Sequence, residues 1–298
     1  MVQAYKLNKK LIIRDEYGQL GNILFRLGNA LAFALEHGYR VEDYTLAFCN
    51  YHDGSSNIRF FEHQHPLYFF QFPRPTFPFI DRIQWKLRNQ KLNKADVIEN
   101  FDPTFDLQSL KPMRSYELKG FHFSSGNLVL EHRSKICETL RFRESEILPI
   151  KNLLNDARKK YEVLLGVHIR QKDYRTFYDG KYFVSADQYL SCIEKFMSLH
   201  TKSKSIGVVI CSDEKFLIKD FQTKFPYYIY PAGSIAQDIL ALSLCDFILG
   251  PKATTMSAWA AYIGDTALLQ VTKDEPLNSI DQFQKIKRLE PLNPFQSN

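Results

Sequence analysis

Four short apolar runs in the second half of the chain constrain its fold most. They read EVLLGVHI, IGVVICS, DFILG and ALLQV, and helical patterns separate them. Little in them alternates polar with apolar. A strand this apolar is covered on both faces, which places it in a parallel sheet flanked by helices. The intervening helices carry their own start signals. SADQYLSCIEKFMSLH opens with Ser185 and has Gln188 three positions later, a capping box. SIAQDILALSLC opens with Ser234, and TTMSAWAAYIG follows the strand DFILG. A further helix, EKFLIKDFQTKF, and a short strand, YYIYP, complete the alternation.

The first half repeats the plan less regularly. LIIRD reads as a strand, EYGQLGN as a loop, and ILFRLGNALAFALEHG as a helix. Leu24, Leu27, Leu31 and Leu35 recur there at helical spacing, and Gly38 reads as the C-cap. SYELKGFHFSSGNLVL reads as a hairpin or strand pair. Helices through KICETLRF and LPIKNLLNDARKKY follow. Residues 60–80 hold four prolines among many aromatic rings and argue against regular structure. The 298 residues, 45% of them hydrophobic, suffice for two α/β domains. The expected divisions are 1–155, an N-terminal α/β domain, and 156–275, a C-terminal Rossmann-like domain. A tail, 276–298, is expected to pack back on the first domain.

Several classes are disfavoured. No apolar run approaches the roughly 18 residues of a spanning helix. No signal-type h-region stands at the N-terminus, so the chain reads as soluble and cytoplasmic. Five cysteines without a CxxC suit reduced thiols. A net charge of +6 suits a phosphorylated ligand, a polyanion or an anionic membrane surface, and equally plain solubility. There is no GxGxxG, no GxxxxGK[ST] and no DxD triplet. His63 and His65 form the one close histidine pair, without cysteines nearby, and read as no metal site. RFRES and KLRNQKLNK lack the aromatic pattern of nucleic-acid binders. Arg82, Trp85 and Lys86 in segment 82–94 give a peripheral membrane reading, on the inner face of a membrane. A solvated face is the stronger reading there.

Ligands of open α/β sheets sit at the carboxyl ends of the strands. Four polar clusters fall at such ends. GVHIRQKDY brings His168, Arg170 and Asp173 to the end of a buried strand. Residues two apart share a strand face, and an arginine fork suits phosphate oxygens. A structural Arg–Asp pair beside a core histidine explains the same residues. CSDE brings Ser212 and Asp213. Asp238 lies within a helix, where a solvent-facing charge is the simpler reading. Thr254 and Thr255 begin a helix after a small-residue loop, which makes an anion site or a plain N-cap. In the first half Gly18 and Gly21 permit close backbone approach at a strand-to-helix turn.

Taken in order, these motifs resemble the α-1,2-fucosyltransferases and the wider superfamily of fucosyltransferases that shares the H-x-R motif. GQLGNILFRLGNALAFALEHGY is similar to the N-terminal glycine motif with its helix, and GVHIRQKDY to H-x-R-R-x-D. VICSDE and QDILALSLCDFILGPKATTMSAWAAYIGD are similar to the second and third motifs. The resemblance covers most of the chain. It implies a GT-B fold, two Rossmann-like domains with a cleft between them, the first on the acceptor side and the second binding the nucleotide sugar, and a lipid-linked acceptor is then what would bring segment 82–94 to a membrane. It implies an inverting transfer of L-fucose from GDP-fucose to a glycan hydroxyl, α-1,2 favoured, with no metal or other cofactor. On matching positions Arg170 holds the β-phosphate, and Thr254 and Thr255 contact the diphosphate. His168 and Asp238 hold the guanosine end, Ser212 and Asp213 line the donor pocket, and Gly18, Gly21 and Asn22 of the glycine motif are counted with the donor-binding residues. Asp173 and Asp179 are both candidates for the base, and Asp173 alternatively orients Arg170. Many members have a second arginine where this chain has Gln171. Another nucleotide sugar, or a catalytically silent binding protein, are the competing readings. Tyr68, Phe69, Phe72 and Phe77 are candidates for stacking on an acceptor sugar, against plain packing of the first domain.

Overall fold

The structure is a computed structural model. It describes residues 9–14, 18–43, 45–48, 61–62, 95–100, 104–111, 114–200, 205–214, 228–229, 233–290 and 294–295. The aromatic stretch with Tyr68, Phe69, Phe72 and Phe77, the basic segment 82–94, the pair His63 and His65, and the helix expected over 215–225 lie outside the described residues. The chain divides into two units, Met1–Arg141 and Phe142–Asn298.

The first unit begins with β1 (Lys10–Ile13), α1 (Leu20–His37), β2 (Arg40–Asp43) and α2 (Thr45–Phe48). It continues through β3 (Asp96–Asn100), β4 (Phe105–Asp106), β5 (Tyr116–Gly120) and β6 (Phe123–Ser124) to α3 (Leu128–Glu131) and α4 (Arg133–Thr139). Four strands form a parallel sheet in the order β2-β1-β5-β3. Leu24, Leu27 and Leu31 of the α1 stripe are buried and Leu35 partly so, and Gly38 ends the helix in the left-handed region at φ 67°. Two polar side chains of α1 are buried with it. Arg26 Nη1 donates to the Gly120 carbonyl at 2.7 Å. Asn29 Oδ1 accepts from the Ser125 N–H at 2.9 Å, and the Ser125 hydroxyl donates back to the Asn29 carbonyl.

These bonds explain a departure from the sequence expectation. SYELKGFHFSSGNLVL forms no hairpin. Both edges of β5 are taken, by β1 and β3, and β6 pairs in parallel with β4. Asn29 holds Ser125 on α1, so the chain after β5 runs on along the helix instead of turning back.

The second unit holds α5 (Glu144–Arg158), β7 (Val163–Ile169), α6 (Ala186–Leu199), β8 (Ile206–Ser212), β9 (Tyr228–Ile229), α7 (Ile235–Ser243), β10 (Phe247–Pro251), α8 (Thr255–Gly264) and β11 (Ala267–Val271). Its sheet is parallel throughout, in the order β11-β10-β7-β8-β9. All seven residues of β7 are buried, as a strand covered on both faces requires. Val163, Leu165, Val167 and Ile169 pack with Tyr189, Ile193 and Phe196 of α6. The alternate positions face α7. A Cβ on Gly166 would meet Leu242 Cδ2 at 3.0 Å and Cys245 Sγ at 3.2 Å. Both expected capping boxes form, Ser185 with Gln188 and Ser234 with Gln237.

The division at Arg141 lies ahead of the expected residue 155 because α5 is fastened to the second unit. The Ser234 hydroxyl donates to Glu146 Oε2 at 2.7 Å. Arg158 grips Asp246 with two bonds of 2.6 and 3.1 Å and also donates to the Leu244 carbonyl. The segment after Pro276 belongs to this unit as well. Gln284 pairs with Leu268 of β11, and Phe283 packs edge-on against Phe196 and Phe247. No described helix is long and apolar enough to cross a membrane.

Candidate functional site

The polar residues of the second unit gather at the carboxyl edge of its sheet. β7 sets the first of them. His168 lies two residues past Gly166 and so turns to the α7 side. It is 3% exposed and pairs in register with Cys211 of β8. Burial, with the neighbouring Arg170 charge as the smaller cause, lowers its pKa to about 3. His168 is therefore neutral at physiological pH. Its Nδ1 is buried without a hydrogen-bond partner among the described residues.

Arg170 stands just past the strand end. Its Nε donates to Asp173 Oδ1 at 2.7 Å and its Nη2 to Asp173 Oδ2 at 3.0 Å. Asp213 Oδ2 lies 3.5 Å from the same Nε. Burial works against the guanidinium charge, but the two carboxylates outweigh it and hold the group charged. Burial likewise works to raise the Asp173 carboxyl, and the Arg170 contact overrides it and lowers the pKa. Asp213 fixes the turn after β7 by accepting the N–H groups of Gln171 and Lys172 at 2.9 and 3.2 Å. Ser212 does the same for β8, its hydroxyl accepting the Glu214 N–H.

Gln171, where relatives of the resembled family carry a second arginine, points inward. It is 2% exposed, and its amide donates to the Val184 carbonyl at 2.6 Å. Its side chain anchors the loop 171–184 to the unit. Arg175 ties that loop to β8 through a two-bond pair with Glu214.

The helix α8 supplies the second anion-seeking group. Thr254 is its N-cap residue but makes no side-chain capping bond, and Ala253 before it has a φ of 62°. The first turn thus presents backbone N–H groups and the positive helix end from a bend in the chain. Thr255 opens the helix. β10 approaches α8 closely, for a Cβ on Gly250 would meet Ser257 Oγ at 2.3 Å. Burial pushes the Tyr174 phenol up, and the neighbouring Thr254 side chain works against that rise. Tyr174 follows Asp173 directly, so the loop after β7 lies beside the start of α8.

Asp238 lies on α7, next to Cys211, whose thiol contacts the Asp238 carbonyl at 3.7 Å. Burial raises the Asp238 carboxyl to about 7, and the Cys211 contact offsets part of the rise. Asp238 is half-buried, so the solvent-facing reading of this helix charge does not hold. Asp179 is exposed and in the left-handed region at φ 56°.

The structure thus brings together His168, Arg170, Asp173, Ser212, Asp213 and Thr254, with Asp238 beside Cys211. Gly18, Gly21 and Asn22 belong to the first unit. Gly18 takes φ 70°, and a Cβ there would strike the Asn22 side chain at 2.0 Å, so the turn before α1 requires glycine. Sequence reasoning missed Tyr174, the Arg175–Glu214 pair and the inward anchor role of Gln171. It also missed an aromatic cluster formed by Tyr174, Phe177, Tyr178 and Tyr182. Its signal was present in DYRTFYDGKYF, five rings in eleven residues.

A model of Glycosyl transferase family 11 matches residues 81–290. None of the curated proteins matches the chain by sequence. Among solved structures the chain is similar to fucosyltransferase NodZ from Bradyrhizobium, at 17% identity over 88% of this chain and 96% of that one, TM-score 0.58. It is similar to NodZ alpha-1,6-fucosyltransferase soaked with GDP-fucose, at 16% identity over 91% and 97%, TM-score 0.57. It is also similar to a variant of Arabidopsis thaliana FUT1 in complex with GDP, at 12% identity over 95% of this chain and 74% of that one, TM-score 0.61. At these identities the likeness speaks for the fold. It agrees with the GT-B class expected from the sequence.

Proposed function

The chain belongs to Glycosyl transferase family 11, and from that premise we propose that it transfers L-fucose from GDP-fucose to a glycan hydroxyl with inversion and without a metal. The α-1,2 linkage is our assignment from the motif resemblance. NodZ, similar in fold, is described as an α-1,6 enzyme, so fold likeness does not choose the linkage. One observation carries the reading. A fixed guanidinium at the end of β7 and an uncapped helix start after β10 stand at the carboxyl edge of one parallel sheet, in which β7 and β10 are neighbours. Two anion-stabilising groups at one sheet edge suit a nucleoside diphosphate.

The roles follow from the geometry. Arg170 meets the β-phosphate, and the Thr254 hydroxyl with the first N–H groups of α8 meets the other diphosphate oxygens. His168 stays neutral and offers Nδ1 to the nucleoside, and Asp238 accepts from guanine N–H donors. Ser212 and Asp213 shape the pocket by holding the turns. As the bond between the anomeric carbon and the diphosphate oxygen breaks, negative charge grows on the leaving group. Arg170 and α8 are already oriented to stabilise it. Both oxygens of Asp173 are engaged by Arg170, so Asp173 positions the guanidinium. Asp179, exposed, takes the proton of the acceptor hydroxyl. Gly18, Gly21 and Asn22, the glycine motif of the first unit, are assigned to the donor by the same resemblance.

A second reading, another nucleotide sugar on the same scaffold, is favoured by Gln171, since its buried amide supplies no second charge. Calorimetric titration decides between them. GDP binding in the micromolar range that survives a chelator, with transfer from GDP-fucose, supports the proposal. No binding of GDP, or binding only with a divalent ion, overturns it. Product NMR assigns the linkage.

A further inference from the structure

We infer that the loop from Phe177 to Tyr182 is a stacking platform for a neutral acceptor sugar. The inference deepens the fucosyltransfer reading and rests on it. Phe177 and Tyr178 are the exposed aromatic residues among those described, at 42% and 68%. Single exposed apolar residues are ordinary, but two adjacent rings presented outward beside a ligand edge point to an occupant.

The presentation is rigid. Tyr178 and Asp179 take φ values of 47° and 56°, two successive left-handed residues without glycine. A bulky side chain adopts this backbone rarely, and such outliers persist where the surroundings impose them. Here Lys273 Nζ donates to the Gly180 carbonyl at 2.8 Å, and the Lys181 N–H donates to the Tyr178 carbonyl at 3.0 Å. Gln171 holds Val184 at the far end of the loop.

The rings form a row that begins at the anion site. Tyr174, next in sequence to Asp173, stacks on Phe177 with centroids 5.5 Å apart and planes 20° apart. Phe177 meets Tyr178 edge-on at 4.7 Å, and Tyr182 backs both at 6.2 and 6.0 Å. Two ring steps therefore lead from the start of α8 to the outermost ring. A pyranose offers a face of C–H groups that an aromatic ring covers, while its hydroxyls need hydrogen-bonding partners. Those stand alongside. Asp179 follows Tyr178, and a cavity of about 160 Å³ is lined by Lys181, Tyr182, Lys252, Lys273, Asp274 and Glu275. Donors and acceptors of both charge signs suit a neutral, hydroxyl-rich ligand better than an anion.

The test uses the full chain with lactose and chitobiose as probes, Tyr178→Ala, Phe177→Ala and Tyr178→Phe as variants, and GDP-fucose as donor. Loss of a stacked ring should raise the KM for the accepted probe about tenfold in both alanine variants. Tyr178→Phe keeps the ring and should stay within about twofold of the parent. GDP affinity and melting temperature should be parental in all three. If the parent transfers to neither probe, saturation-transfer NMR with GDP present replaces KM. Contact between the probe's ring protons and the protein that Tyr178→Ala removes supports the platform, and its absence refutes it. Parental acceptor KM in the alanine variants also refutes it while leaving the donor reading intact. A parent that binds no GDP breaks the donor reading itself and takes the platform down with it.

Discussion

Arg170 and Asp173 form a fork-to-carboxylate pair, with Nε to Oδ1 at 2.7 Å and Nη2 to Oδ2 at 3.0 Å. The carboxylate side is half in water, with 53% of the Asp173 side chain exposed. Such a pair holds a guanidinium in place without being a folding requirement. Arg170→Ala should lower turnover by roughly 10²–10³, the effect of deleting one preorganised donor. Arg170→Lys keeps the charge, loses the fork and should recover part of it. Unliganded melting should change little, because Asp213 keeps its two backbone N–H bonds. Unfolding of Arg170→Ala, read by circular dichroism, would mark the pair as structural.

The two loop carboxylates should separate by the constant each one moves. Asp179→Asn should reduce turnover by about 10²–10⁴, as removal of a general base does, and leave GDP affinity at the parental value. Asp173→Asn should lower GDP affinity with a smaller loss of turnover, since it only loosens Arg170. The reverse pattern exchanges the roles.

His168 and Asp238 make opposite contributions to stability against pH. His168 falls from 6.5 to about 3 on folding, so its share of stability is present above pH 6.5 and is lost as pH falls toward 3. Asp238 rises from 3.8 to about 7, so its burial costs nothing below pH 3.8 and costs progressively more up to pH 7. Each contributes a slope of about 1.4 kcal/mol per pH unit, of opposite sign, over the shared window near pH 4–6.5. The parent should show little pH dependence there from these two groups. Asp238→Asn should leave a stability that falls with acid, and His168→Gln one that rises, both measured by urea unfolding. Parallel curves for all three proteins would refute the assignment.

Gln171→Arg, which restores the residue typical of the resembled family, should destabilise the protein by about 3 kcal/mol or more. The site is 2% exposed and its amide is fixed on the Val184 carbonyl, so a guanidinium placed there would lose most of its water. Thermal melting checks this. A stable variant with higher turnover would show that the side chain swings outward.

How far the sequence was legible follows from what each signal depends on. The apolar runs of the second sheet and the capping boxes at Ser185 and Ser234 depend on a few neighbouring residues, so they could be read directly. The path after β5 depends on Asn29 holding Ser125, ninety-six positions away, and no local pattern carries that. Asp238 is the converse case. Its helix context suggested a solvated charge, and only burial in the packed unit pushes its carboxyl up to about 7. The site's charged fork at Arg170 was legible as a cluster at a strand end. The inward turn of Gln171 was not, because a glutamine fits both a surface and a buried amide bond.

The sheet order also governs timing. β7 and β10 are neighbours, with Leu165 opposite Phe247, although eighty-two residues of chain separate them. Such distant pairing closes late, since the intervening loop must lose its freedom first. A lengthening polypeptide therefore displays Arg170 well before Thr254 has a place to stand. A nucleotide that needs both finds no foothold on partly organised chains, and it should lengthen the lifetime of the finished protein without hastening its formation.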